Sequence, residues 1–482
     1  MLIRLLRPFA RHWTGLLLLL LFLYAGQAEG GGLMVVGYYP DWIRGSYPHS
    51  VIPYRNLTHI VHSFLIPNGD GSLSGTSGFA YPALVQGAHQ AGVKVVVALG
   101  GWDQSGGFSP MAADSAARRK FVQNIKAFCQ ANNYDGIDLD WEYPANAVDR
   151  ANLTILVHEL RQAFAGLQPP LSISMAVPAG NWTGQWFDFS SMKDDLDWLG
   201  IMTYDYHGSW TSTSGPNSPL YGKWSVNTQG WIDDSYTYYS VTRAVPTAKL
   251  LIGVPFYGWT FNASTMYGAS TGASQKQYQD IAPLIGQGWT RYWDSEGRVP
   301  YLINAAATQV ISYDDTASLR VKCEYIVAKG IQGTIVWALG QDYVNGGQPL
   351  LDALGRGLGL VSGVEPDEES LTPTTFALYQ NYPNPFNPTT TMRFQIPESK
   401  SQTPENVLGF GIWNLTFVSL MVYDVLGREV ATLVNDRLPA GTYTVPFNAS
   451  ALPSGVYFYR LQAHISDGGQ FYVETRKLVV TK

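Results

Sequence analysis

Cysteine, charge and basic patches are scarce in this chain. Of its 482 residues, only 14% are charged and two are cysteines. Two cysteines cannot build a disulfide framework or a Cys/His metal cluster. Cys129 and Cys323 lie on apolar helical stripes, so we expect buried thiols, with a disulfide between them as the alternative. The net charge of -6 and the lack of a basic patch argue against nucleic acid as a partner, because neutralising phosphates needs clustered cations.

Long apolar runs are also rare, and the clearest one lies at the N-terminus. Arginines precede the apolar run from Leu16 to Leu23, and the small residues Gly26 and Ala28 follow it. This order predicts a signal peptide over residues 1–28. A membrane anchor is the alternative, for which the run is short. No later segment is apolar enough to span a bilayer, so we expect an exported protein with no stable membrane span after processing.

Short apolar runs alternate with helical segments between residues 33 and 360. Near-continuous apolar strands with crossover-length spacers indicate parallel strands that are buried on both faces. The length suits an α/β fold of the (β/α)8 TIM barrel type, and a doubly wound sheet, the alternative, lacks a clear glycine-rich phosphate loop. The long spacer from Tyr257 to Ser312 predicts a small insertion after strand 7. The predicted strands are Leu33–Tyr38, His59–Leu65, Val93–Leu99, Gly136–Asp140, Leu171–Val177, Leu199–Tyr204, Leu250–Pro255 and Gly333–Trp337.

The composition changes after residue 360. Residues 361–373 are rich in Ser, Gly, Glu, Asp and Pro, as in a linker. Residues 374–482 contain strand-like runs between turn signals and show no helical period, which predicts a C-terminal all-β sandwich domain. These runs are Thr390–Ile396, Val418–Tyr423, Glu429–Val434, Thr442–Phe447, Val456–Gln462 and Phe471–Val480.

The segment from Asp135 to Pro144 carries four acids within ten residues that otherwise resemble a buried strand. Because side chains alternate along a strand, Asp138, Asp140 and Glu142 share one face and the intervening apolar residues share the other. Neighbouring acids repel one another and lose hydration when they are enclosed. We therefore expect these three to do chemistry or to hold a metal. Asp135 has the opposite parity, and we interpret it as structural.

Aromatic and polar residues follow several of the predicted strands. The carboxyl ends of barrel strands build the active site of such a fold, so these side chains are expected to meet in one cleft. Flat rings suit sugars, because the C–H face of a pyranose stacks on them; core packing is the alternative for any single ring. Trp337 is the candidate for the ring on which a sugar stacks at the floor of this cleft. The candidate substrate-binding residues are Tyr38, Trp42, Phe64, Gly101, Trp102, Met202, Asp205, Tyr257 and Trp337.

Acids without a neighbouring Lys, His or Cys indicate glycoside hydrolysis by proton transfer. A metal site is the alternative, because hard cations bind carboxylate oxygens. Three ligands on one strand point in parallel, however, whereas a cation needs ligands that surround it. We therefore predict neither a metal nor a cofactor.

The acidic segment, Asp135-x-x-Asp138-x-Asp140-x-Glu142, resembles the signature of glycoside hydrolase family 18, the chitinase family. The resemblance implies a retaining, substrate-assisted reaction in which Glu142 donates a proton to the glycosidic oxygen. Asp140 would orient the N-acetyl group of the substrate and share a proton with Asp138. Tyr204, the fourth catalytic candidate, would donate a hydrogen bond to the acetamido oxygen. The other matching segments are Gly37–Trp42, Leu57–Phe64, Leu99–Trp102, Met202–Asp205 and Ile335–Trp337.

The chain departs from the family pattern at one position beside the cleft. Many members carry Arg after the Tyr-Gly pair that is Tyr257-Gly258 here, and this chain has Trp259. The contacts that the family makes through that arginine are therefore not carried over.

The C-terminal residues 374–482 resemble the sorting domain of bacterial type IX secretion. This implies the type IX secretion machinery as a partner and an extracellular or outer-surface location. Residues 398–414 resemble a loop that is additional to the usual pattern of this domain. A carbohydrate-binding sandwich is the alternative, with Trp413, Tyr457 and Tyr459 as its rings. The matching segments are Asn381–Pro388, Val422–Val430, Leu452–Tyr457 and Lys477–Val480.

The resemblance predicts a secreted, endo-acting chitinase that binds chitin or chito-oligosaccharides, and we expect a monomer. An endo-β-N-acetylglucosaminidase acting on N-glycan cores would use the same acids, but extended aromatic walls favour chitin. A non-catalytic chitin-binding lectin is the second alternative. Such proteins usually lack the proton donor, whereas Glu142 is present.

Overall fold

The computed structural model describes residues 32–222, 230–361, 365–366, 376–397, 416–438, 441–465 and 471–481. The signal peptide expected over residues 1–28 and the extra loop expected over residues 398–414 lie outside these described residues. No helix within the described ranges is long and apolar enough to cross a membrane.

Eight parallel strands close into a barrel, because the first strand pairs with both the second and the eighth. Their residues are apolar on both faces, since one face meets the helices and the other fills the barrel interior. The predicted TIM barrel is confirmed, and every strand end lies within two residues of its predicted position. A two-residue strand, Leu73–Ser74, pairs antiparallel with the second strand. The barrel strands are Met34–Pro40, His59–Pro67, Lys94–Gly100, Gly136–Asp140, Ser172–Pro178, Trp198–Met202, Leu250–Pro255 and Gly333–Trp337.

Helices cover the outside of the barrel, and capping residues mark the two ends of one of them. The helix Thr316–Lys329 begins after Asp315, whose carboxylate accepts the N–H groups of Ala317 and Ser318, and it ends at Gly330 in the left-handed conformation. The α-helices are Pro82–Gln90, Phe108–Ala113, Ser115–Asn132, Ala147–Ala165, Asn181–Gly184, Phe189–Met192, Ile232–Thr237, Tyr278–Ile281, Thr316–Lys329 and Pro349–Gly357. Short 3-10 turns at Asp41–Ile43, His49–Val51, Tyr54–Asn56, Thr247–Lys249 and Ala282–Leu284, and a π turn at Tyr238–Thr242, complete the helical segments.

The predicted insertion follows the seventh barrel strand as a five-stranded antiparallel sheet. Its first strand begins two residues after the barrel strand ends at Pro255, so Trp259 lies close to the barrel mouth. Its strands are Tyr257–Phe261, Ala273–Gln277, Trp289–Asp294, Val299–Asn304 and Val310–Ser312.

Two four-stranded antiparallel sheets form the C-terminal domain and share one apolar core, which confirms the predicted sandwich. Two residues that we expected in the linker, Glu365–Pro366, pair with the edge of one sheet. Such pairing uses backbone groups, so side-chain composition did not indicate it. The strands of the two sheets are Glu365–Pro366, Ala377–Leu378, Thr389–Ile396 and Gly441–Asn448, and Thr416–Tyr423, Glu429–Leu438, Gly455–Ile465 and Phe471–Val480.

The two cysteines are separate and buried. Cys129 lies on the buried face of the helix Ser115–Asn132, and Cys323 lies on the buried face of the helix Thr316–Lys329. Both thiols are free, so the disulfide considered as an alternative does not form.

Candidate active site

The alternation of the fourth barrel strand separates its acids from its apolar residues. Ile137, Leu139 and Trp141 lie in the core between the barrel and the helices. Asp138 faces the barrel interior, where its Oδ2 accepts the Tyr38 hydroxyl at 2.7 Å and its Oδ1 accepts the Ser174 hydroxyl at 2.6 Å. The period-2 pattern of the sequence therefore describes the observed faces of this strand.

Asp138 is enclosed and held by hydroxyl donors. Burial raises its pKa to about 6, while the hydrogen bonds from Ser174 and Tyr38 oppose that rise. Ser174 lies directly across from Asp138 in the neighbouring strand. We did not predict Ser174 as part of the site, although a polar residue inside an apolar strand in register with an acid was a usable signal.

Asp140 is the central acid of the three, and it is almost completely buried. Burial and the charges of Glu142 and Asp138 raise its pKa well above the usual range of a carboxyl. Its Oδ1 has no hydrogen-bond partner among the residues that the structure describes. A buried acceptor without a donor is unfavourable, so this oxygen can gain a bond from a molecule bound in the cleft.

Glu142 lies just beyond the strand, half-buried at the barrel mouth. Its backbone N–H donates to Ser105 Oγ at 2.9 Å. Burial raises the pKa of its carboxyl to about 7, and the charges of Asp205 and Asp103 add to that rise against a hydrogen bond from Tyr143. A carboxyl with this pKa keeps its proton in part of the molecules at neutral pH and can donate it.

Asp205 follows the sixth strand in the left-handed conformation, with φ 59°. Its backbone N–H donates to Asn217 Oδ1 at 2.9 Å, and the Asn217 amide donates to the carbonyl of Tyr257 at 3.0 Å. The indole N–H of Trp259 donates to Asp205 Oδ1 at 2.8 Å. The sequence did not indicate Asn217 as part of the site, because the contacts come from loops that are far apart along the chain.

Aromatic rings line the mouth beside these acids. Trp337 lies 5.7 Å from Tyr38 and 5.9 Å from Phe64 between ring centroids. Trp42 lies 6.5 Å from Phe64 and remains 66% exposed. Gly101 has φ 88°, and a Cβ there would meet the Phe64 ring at 2.9 Å, so a larger residue would displace that ring.

A cavity of about 460 Å³ opens beside Glu142. The exposed ring of Trp102 stands at this cavity, together with the acids Asp103 and Asp149. The lining residues are Trp102, Asp103, Ser105, Gly106, Ser109, Trp141, Glu142, Tyr143, Ala145 and Asp149.

The remaining candidates occupy the ends of the sixth and seventh strands. Met202 is the last residue of the sixth strand. The rings of Tyr204 and Tyr257 lie 6.2 Å apart, and burial raises the pKa of both hydroxyls. Asp135 lies before the fourth strand begins and accepts the Val95 N–H at 2.7 Å, as its opposite parity suggested.

The sequence model of glycosyl hydrolases family 18 matches residues 34–342, which span the whole barrel and its insertion. The chain belongs to glycosyl hydrolase family 18. Within the described residues of this family 18 chain, no group of three or more His, Cys, Asp or Glu side chains has the geometry of a metal site.

A second model, the secretion system C-terminal sorting domain, matches residues 380–480. The prediction of a sorting domain is thereby confirmed. Such a domain indicates secretion to the cell surface or the extracellular space.

Curated relatives of this family 18 chain carry chitinase names. A probable endochitinase of Caenorhabditis elegans is 34% identical over 55% of this chain and 48% of its own length. An endochitinase of Manduca sexta is 28% identical over 70% of each chain. Chitinase A1 of Niallia circulans is 33% identical over 52% of this chain and 41% of its own length. The chain thus spans about half the length of two of these three relatives.

Solved structures share the barrel. The Group IV chitinase of Ostrinia furnacalis in complex with allosamidin has a TM-score of 0.63 and 27% identity, over 68% of this chain and 99% of that one. A family 18 N-acetylglucosaminidase from Paenibacillus barengoltzii has a TM-score of 0.61 and 28% identity, over 67% of this chain and 99% of that one.

Proposed function

We propose that this family 18 protein is a secreted chitinase that hydrolyses β-1,4 linkages between N-acetylglucosamine units and retains the anomeric configuration. The observation that carries the proposal is the row of Asp138, Asp140 and Glu142 on the interior face of one barrel strand, below a mouth lined by rings. The endochitinase names of the relatives and the chitinase structures that share the fold support the substrate class.

Glu142 is the proton donor in this proposal. It stands at the barrel mouth, beside the cavity, and its pKa of about 7 lets it hold a proton at neutral pH. Protonating the glycosidic oxygen turns the departing sugar into a neutral alcohol, and the resulting carboxylate can then take a proton from the attacking water.

The substrate's own acetamido oxygen is the nucleophile. A two-carboxylate retaining enzyme places its acids on opposite sides of the scissile bond, whereas Asp140 and Glu142 extend from the same face of one strand. Asp138 uses both oxygens to accept hydroxyl groups, and Asp205 is held by Trp259. In this proposal Asp140 binds the N–H of the neighbouring amide, and the oxygen of that amide attacks the anomeric carbon.

Asp140 and Tyr204 orient that amide. The unpartnered Oδ1 of Asp140 accepts the acetamido N–H, which makes the acetamido oxygen more nucleophilic. Tyr204 keeps its proton because burial raises the pKa of its hydroxyl, and it donates to the acetamido oxygen. Asp138 shares a proton with Asp140 and absorbs the change in charge as the reaction proceeds.

Replacing Glu142 tests the proposal. We expect Glu142→Gln to fold normally and to lose roughly 10²–10⁴-fold in kcat on chito-oligosaccharides, the usual contribution of a general acid. The matched control is Glu159→Gln, because Glu159 pairs with Arg118 on the helical shell outside the cleft. Near-normal activity of the Glu142 variant, or release of the α anomer as first product by the unchanged protein, would overturn the mechanism.

The exposed rings support chitin over the alternative substrate. Trp42 and Trp102 are 66% and 69% exposed, so both rings offer stacking surface to a sugar. The Paenibacillus structure, which shares the fold, is named an N-acetylglucosaminidase. Product profiles on a chitin hexamer and on a glycoprotein are measured side by side. They separate an endochitinase from an enzyme that cuts N-glycan cores and from an N-acetylglucosaminidase.

A further inference from the structure

Trp259 stands where many members of the family have Arg. It is nearly buried in a cluster with Tyr257 and Phe261, against which Tyr204 and Trp337 pack. Its indole N–H donates to Asp205 Oδ1 at 2.8 Å. One side chain therefore contacts both the aromatic wall and an acid that faces Glu142.

The ring of Trp259 also supports an exposed neighbour. Trp210 meets it edge to face, with ring centroids 5.4 Å apart and an interplanar angle of 84°. Trp210 is 59% exposed, so Trp259 fixes its direction without covering it.

The bond from Trp259 to Asp205 brings no positive charge. The groups that act on Asp205 are Trp259 and Tyr257, which both donate hydrogen bonds to it. The titratable groups that act on Glu142 are Asp205, Asp103 and Tyr143, and Glu142 in turn acts on Asp140, Tyr204 and Tyr257. Among the described residues, no Lys or Arg contributes to the pKa of either carboxyl.

We propose that Trp259 is a positioning residue, which holds the Asp205 carboxylate in its charged form beside Glu142 and leaves that negative charge uncompensated. The inference rests on the proposed role of Glu142 as proton donor. Burial opposes ionisation of Asp205, and the indole N–H favours it, because a hydrogen bond to the charged form stabilises that form. The resulting charge disfavours deprotonation of Glu142, so the proton donor stays loaded to a higher pH.

Two substitutions separate the hydrogen bond from the charge. Trp259→Phe keeps an aromatic ring but removes the donor, so Asp205 takes up a proton more readily and carries less negative charge. Trp259→Arg supplies a cation that compensates the charge. In both variants we expect the basic limb of the pH profile of kcat/KM to move to lower pH, by about one unit for Arg, the scale of a nearby charge.

The control is Trp198→Phe. Trp198 is also buried, but it begins the sixth strand at the opposite end of the barrel. We expect this variant to lose stability without moving the basic limb, and the thermal midpoint of each variant is measured beside its pH profile.

Each outcome decides a different question. An unmoved basic limb in Trp259→Phe or in Trp259→Arg overturns the role of Trp259, as does an equal movement in Trp198→Phe. If Glu142→Gln retains full activity, the proposed function itself fails. The two failures are therefore distinguishable in one set of chito-oligosaccharide assays.

Discussion

The pH profile of the proposed hydrolysis depends on the residues around Glu142. Its pKa of about 7 is set first by burial and then by Asp205 and Asp103. The active form is the protonated one, so kcat/KM falls as the pH rises through about 7 and is retained below it, until other groups titrate. Assays on a soluble chito-oligosaccharide from pH 5 to pH 9 test this. A flat profile up to pH 9 would contradict the assignment of Glu142.

Asn217 is a second residue that acts on the site indirectly, through its hydrogen bonds to Asp205 and Tyr257. It accepts the Asp205 N–H at 2.9 Å and donates to the carbonyl of Tyr257 at 3.0 Å. Removing it with Asn217→Ala frees a left-handed loop residue, and a misplaced acid costs roughly 10–100-fold in rate. We expect kcat to fall more than KM rises.

The matched control for that variant is Asn56→Ala. Asn56 is also fully buried, but its amide bonds Asp352, on the helix Pro349–Gly357, outside the cleft. Asn217→Ala should lose about 1–3 kcal/mol of stability, because it leaves the buried Tyr257 carbonyl without this donor. Asn56→Ala removes a buried side chain whose amide bonds the half-exposed Asp352. Equal losses of activity in the two would show that Asn217 only supports the fold.

The acids could be predicted from the sequence, and their neighbours could not. Asp138 and Asp140 lie on one strand, whose period of two fixes their common face, and Glu142 follows two residues after its end. The bond between Trp259 and Asp205 joins residues 54 positions apart, and it depends on the left-handed φ of Asp205. No local pattern contains that information, because the contact exists only once the seventh strand lies beside the sixth.

Elements that are buried on both faces were predictable, and polar edge strands were not. The barrel strand Leu250–Pro255 is a continuous apolar run, and its limits agree with the prediction. The insertion strand Ala273–Gln277 is mostly exposed and polar, so it shows neither alternation nor an apolar run. Its partner, Tyr257–Phe261, determines it through backbone pairing.

The helix Thr316–Lys329 is anchored by an ion pair that neither solvent nor the cleft reaches. Lys322 and Asp314 are both buried, with 2.7 Å between Nζ and Oδ1. Lys322 also donates to Ser218, whose hydroxyl bonds the carbonyl of Thr203 just before Tyr204. The helix is thereby connected to the loop that carries two candidate site residues.

Removing one member of this ion pair should lower the free energy of unfolding more than replacing both members with apolar residues. We expect Lys322→Met to lose about 3–5 kcal/mol of stability, because it leaves a buried carboxylate unpaired. The double variant, Lys322→Met with Asp314→Leu, should recover most of that loss, since no charge remains buried. Chemical denaturation of both variants is the measurement. A double variant as unstable as the single one would contradict this explanation.

At the scale of the molecule, the part of the chain that the structure describes has separate apolar cores in the catalytic region and in the C-terminal domain. One of them unites the barrel with its helices, and another lies within the C-terminal sandwich. We expect a chain that ends at Leu360 to fold and to keep kcat/KM within about twofold, because separate cores fold independently.

The same truncated chain should remain inside a bacterium that has the secretion system, because it lacks the sorting domain matched at residues 380–480. Activity in the culture medium and in cell lysates separates the two effects. The control is the full chain carrying Glu142→Gln, which should leave the cell without being active. Activity of the truncated chain in the medium would show that the domain is dispensable for export.

The pairing of the first barrel strand with the eighth has a consequence for biosynthesis. Met34 meets Gly333, so the ring is joined by residues made at nearly opposite ends of the catalytic region. A ribosome that has produced only seven strands has made an open sheet with two free borders. Synthesis must therefore pass the eighth strand, Gly333–Trp337, before the barrel can close and its cleft can form.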